Sequence, residues 1–67
     1  MTNSEQMRSR SIVMHDELVA IRDYVDGMAK ELNGFADVPS SAGYEIAIAA
    51  KKLTYAVNAL RDAIDQM

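Results

Sequence analysis

Sixty-seven residues and no cysteine allow one small domain, with neither a disulfide nor a thiolate metal site to staple it. Residues 1–33 carry four cations against six carboxylates and residues 34–67 three against four, a net charge of −3, so the basic face of a duplex-DNA binder is not expected. No apolar run approaches the roughly 18 residues that cross a bilayer, and the start, MTNSEQMRSRS, lacks the apolar core of a secretory signal, so a cytoplasmic protein without a membrane partner is expected.

In chain order, residues 1–10 are polar and read as a flexible N-terminal segment, followed by a helical hairpin domain over residues 11–67. Large apolar side chains recur every seventh residue at Met7, Met14, Ile21, Met28 and Phe35, with Leu18, Val25 and Leu32 as a second line. That stripe predicts a helix over about residues 11–33 packed lengthwise on another helix. Asn33-Gly34 suits a helix stop in which glycine takes the left-handed conformation. A loop over residues 34–40 follows, holding the chain's one proline. Ser40 or Ser41 is then expected to cap the second helix by accepting a hydrogen bond from a free backbone N–H, with Glu45 in the first turn.

The second helix, about residues 41–66, carries Ile46, Leu53, Leu60 and Met67 flanked by Ala50, Val57 and Ile64. The short link makes the helices antiparallel neighbours. Two further features suggest a second neighbour: a small-residue line at Ala49, Ala56 and Ala63, and another flank with Tyr44, Ile48, Tyr55 and Ala59. The expected fold is therefore all-α: an antiparallel two-helix hairpin that self-associates into a four-helix dimer, most simply with twofold symmetry, or a higher oligomer. Its interface is expected to draw on Met14, Leu18, Ile21, Val25, Met28, Leu32 and Phe35, with Leu53, Val57, Leu60 and Ile64 from the second helix.

No catalytic, metal or cofactor motif is found. His15-Asp16-Glu17 project about 100° apart on a helix and do not converge on one atom. Ion pairs are expected at i,i+4 between Arg22 and Asp26, Asp26 and Lys30, and Arg61 and Asp65. Arg8, His15 and Arg22 line one helical edge, either an anion-binding edge or a solvated face. Lys51-Lys52, between Ile48 and Tyr55, is either the rim of an aromatic-lined pocket or a snorkelling pair. Tyr44 and Tyr55 suit stacking on a base or packing between helices.

The run from Ala47 to Ile64 resembles the second helix of small phage hairpin proteins that sequester cyclic oligonucleotides and so blunt the host's CBASS immune signalling. Ala20-Ile21-Arg22 is similar to the first-helix segment of that family, and Arg8 falls near its basic N-terminal residue. The family's arginine–threonine pair corresponds here to Ala50-Lys51, its later arginine to Arg61, and its N-terminal aromatic residue to Met7. The resemblance implies a non-enzymatic sponge in which Arg8, Arg22, Lys51 and Arg61 neutralise phosphates while Tyr44 or Tyr55 stacks on a base. The departures from the family pattern leave a different class of function open, a phage inhibitor of a host regulatory protein of the quorum-sensing anti-activator type. Tyr24, Tyr44, Tyr55, the methionines, Phe35 and Val38 would provide its adaptable surface. A plain dimerisation module is a third possibility, and an enzyme ranks last.

Overall fold

Neither glycine nor proline interrupts the chain from Ser4 to Asp26, so the first helix is long. The structure, a computed structural model, describes residues 3–67 and contains α1 (Asn3–Leu32) and α2 (Ser40–Gln66), packed against each other as a hairpin. The Cα envelope measures 54 × 14 × 11 Å. Helix α1 begins eight residues before the expected Ser11, so residues 3–10 are helical; Met1 and Thr2 of the expected N-terminal segment lie outside the described residues. Glu5 in the first turn and Lys30 in the last both complement the helix dipole.

The reversal between the helices departs from expectation in its chemistry. Gly34 has no positive φ. Helix α1 instead tightens into successive i→i+3 turns, with Gly34 N–H donating to the Glu31 carbonyl at 2.9 Å and Phe35 N–H to the Leu32 carbonyl at 3.2 Å. Pro39, not a serine, occupies the N-cap of α2, and no side chain caps it. Proline's fixed φ (−58° here) presets the entry, and Ala42 N–H donates to the Pro39 carbonyl at 3.0 Å. Ser40 and Ser41 are the first two helical residues, and Glu45 lies beyond the first turn.

Between the helices, α1 presents Ser11, His15, Leu18, Arg22, Val25, Ala29 and Leu32, spaced alternately by four and three, as its less exposed line. Helix α2 answers with Gly43, Ile46, Ala50, Leu53, Val57, Leu60 and Ile64. The expected seam positions Leu18, Val25, Leu32, Leu53, Val57, Leu60 and Ile64 therefore sit between the helices. Met14, Ile21, Met28 and Phe35 do not: each is exposed, as are Met7 and Met67. Beside the Leu18 line run two candidate columns, Met14–Ile21–Met28 and His15–Arg22–Ala29, and the hairpin turns the second one inward.

Close approach at the loop end accounts for that choice. A Cβ at position 43 would overlap the Asn33 side-chain amide and come within 3.5 Å of the Ala29 carbonyl, so glycine on α2 and alanine on α1 let the backbones nearly touch. Farther along, Arg22 buries its apolar stem while its guanidinium reaches the edge and meets Asp23, and His15 stays in the seam with Nδ1 beside Asp16. The buried Ser11 hydroxyl donates to the Met7 carbonyl at 2.7 Å. The core is thin: among the described residues Ala29, Ala50, Val57 and Ile64 are the buried apolar ones, and Val57 is the one large side chain with no exposure.

Candidate functional site

The two columns flanking the seam give the hairpin two unlike faces. Arg22, Asp23 and Asp26 from α1 meet Ala47, Ala50, Lys51 and Thr54 from α2 around a cleft of about 390 Å³. Small side chains at positions 47 and 50 leave this space open between longer flanking residues. Thr54 turns its hydroxyl back to the Ala50 carbonyl at 3.1 Å. A shallow groove lined by Asn33, Ser40, Ser41, Gly43 and Tyr44 shares Ala47 with the cleft and continues it toward the loop.

Electrostatically, the cleft is balanced. Two cations, Arg22 and Lys51, face two carboxylates, Asp23 and Asp26. Nε and Nη2 of Arg22 both donate to Asp23 Oδ1, at 3.2 and 3.0 Å. The Lys30 ammonium pairs with Asp26 at 3.2 Å, the one expected i,i+4 pair that forms among the described residues. Arg22 pairs with its neighbour Asp23 and not with Asp26, because at its seam position the side chain runs out along the helix edge. No ion pair joins Arg61 to Asp65.

Of the ligand residues read from the sequence, the fold brings Arg22 and Lys51 to one cleft and sets Tyr44 in the adjoining groove. Arg61, seven residues beyond Thr54, lies on the same face about 10 Å along α2. Arg8 is exposed, two heptads before Arg22 and about 21 Å away along α1. Tyr55 follows Thr54 directly and so projects about 100° away from the cleft, into solvent. The expected edge of Arg8, His15 and Arg22 is therefore split: Arg8 stays exposed, while His15 and Arg22 enter the seam.

His15 carries a role the sequence did not suggest. Its Nδ1 lies 3.2 Å from Asp16 Oδ1, while its Nε2 is buried without a hydrogen-bond partner. The four-and-three spacing from Ser11 to Leu32 was the signal for this placement. Among the described residues no cluster of His, Cys, Asp or Glu could hold a metal ion, and no helix is long and apolar enough to cross a membrane. No protein-family model, curated protein or solved structure matches this chain.

Proposed function

We propose that this chain is a phage-type counter-defence protein that acts by stoichiometric binding, as a self-associated hairpin, and sequesters a host cyclic-oligonucleotide signal. The observation that carries this reading is the convergence of Arg22 and Lys51, from different helices, on one alanine-floored cleft. Lys51 offers an exposed ammonium, and Arg22 a planar fork matched to phosphate oxygens. An incoming phosphate takes over the donors now given to Asp23. A base of the same ligand then lies along the groove toward Tyr44, whose ring is exposed for stacking. Arg61 adds a further cation on the same face for a larger ring. Neither Arg8 nor Tyr55 is needed for a ligand in this cleft.

Calorimetric titration with cyclic di- and trinucleotides tests the assignment. Arg22→Glu combined with Lys51→Glu abolishes binding and leaves the helical circular dichroism unchanged; affinity equal to the parent's removes the cleft from the account.

A second reading, direct inhibition of a host regulatory protein, is favoured by the exposed rings of Tyr24, Tyr44, Tyr55 and Phe35 and by the two carboxylates in the cleft. Under it, Tyr55→Ala or Phe35→Ala weakens capture of the partner while the Arg22/Lys51 double variant does not.

A further inference from the structure

The face opposite the cleft has a different character. Since Asp26, Ala47 and Thr54 flank the seam on one side, the columns three to four residues away flank it on the other. These are Met7, Met14, Ile21 and Met28 on α1 beside Ala42, Ala49, Ala56 and Ala63 on α2. None of these eight residues is charged. Met7, Met14, Ile21 and Met28 are 38–50% exposed. Arg10, Glu17 and Glu31 on α1 and Glu45 and Lys52 on α2 form a rim of both signs.

We infer that this face is occupied by a second copy of the chain, with the large column of each copy seated over the alanine column of the other. The inference rests on the self-association in the proposed function and is independent of its ligand. Area supports it. The chain exposes 5061 Å², whereas a monomeric globular protein of 7.4 kDa exposes about 4,200 Å². The excess, about 850 Å², is surface that a single layer of two helices leaves open and that a second layer covers in part. The thin seam supplies the motive, since few apolar side chains are buried within one hairpin.

Self-complementarity fixes the arrangement. Placing α1 of one copy over α2 of the other requires a twofold axis along the hairpin, with both loops at the same end. Ala29 and Asn33 lie across from Gly43, and Arg22 across from Lys51 and Thr54. Each of Met14, Ile21 and Met28 then falls between the levels of two successive alanines of the facing column, as knobs enter holes. A twofold axis across the hairpin would stack methionine on methionine and alanine on alanine, leaving a wedge-shaped gap. In the inferred dimer both Arg22–Lys51 clefts face outward and stay open.

Sedimentation equilibrium of the ligand-free protein tests the inference, together with spin labels on an introduced Ala36→Cys, feasible because the chain has no cysteine. A dimer of twice 7.4 kDa is expected, with Ile21→Glu raising its dissociation constant by about 100-fold or more and the outward Val13→Glu leaving it unchanged. Ala56→Leu, which fills the small column without adding charge, weakens the dimer as well and keeps the test valid if Ile21→Glu unfolds. Labels within about 30 Å of each other agree with loops at one end. A monomer at every concentration, parental association in both Ile21→Glu and Ala56→Leu, or labels separated by nearly the 54 Å length of the molecule overturns the inference. Each readout is made without nucleotide, so failure here leaves the cleft assignment to its own titration.

Discussion

Truncating Val57 to alanine removes two carbons from the side chain that the hairpin hides completely. At about 0.8 kcal/mol per buried methylene, the transfer term is about 1.6 kcal/mol. Incomplete collapse of the seam around the vacancy adds about 1 kcal/mol. Alanine's better helix propensity returns about 0.5 kcal/mol, leaving a net loss of about 2 kcal/mol. A domain of this length has a total stability of only about 3–10 kcal/mol, so the melting midpoint should fall by about 8–16 °C. Val13→Ala is the matched control: the same atoms leave a helix position that is 57% exposed, and the propensity gain is the same. Thermal melts of both variants, followed by helical circular dichroism at one protomer concentration, isolate burial from propensity and from mass action. Equal midpoints for Val57→Ala and Val13→Ala would refute the seam.

Four further substitutions probe three residues. His15→Leu should stabilise the hairpin by about 1 kcal/mol in urea unfolding, because it replaces a buried, unpartnered nitrogen with an apolar side chain; a loss of stability would mean that the imidazole makes a contact the leucine cannot replace. Gly43→Leu should destabilise by about 2 kcal/mol or more by wedging α2 off Asn33 and Ala29. Gly43→Ala, whose Cβ meets mainly the movable Asn33 amide, should stay within about 1 kcal/mol of the parent, and similar losses for both variants would contradict a steric limit. Asp23→Asn should tighten cyclic-dinucleotide binding by about 5-fold or more, because it frees the Arg22 donors. Unchanged affinity in a calorimetric titration would place the phosphate elsewhere.

The two helices were legible in the sequence because Leu18, Val25, Leu32 and the Ile46–Ile64 stripe carry heptad spacing, and their antiparallel pairing because the link between them is short. Side-chain size alone did not reveal which neighbouring column turns inward on α1. Methionine and isoleucine are the more apolar choice, yet the hairpin uses His15, Arg22 and Ala29, since Ala29 permits contact with Gly43 and the long Arg22 side chain reaches solvent from the seam. The turn misled for a related reason. Asn33-Gly34 and Ser40-Ser41 are strong local signals, but the chain reverses through tight i→i+3 turns and a proline cap that need neither a left-handed glycine nor a serine acceptor. Arg22 and Lys51 were recognisable as candidates; that they share a cleft with Asp23 and Asp26 follows only from the antiparallel alignment of the two helices.

Native mass spectrometry of the purified protein, alone and with a panel of cyclic di- and trinucleotides, tests the central claim most directly because it reads subunit number and ligand stoichiometry together. The account predicts a dimer, or a multiple of it, that retains nucleotide, with occupancy limited by the Arg22–Lys51 clefts. A protein that remains nucleotide-free with every member of the panel would contradict it.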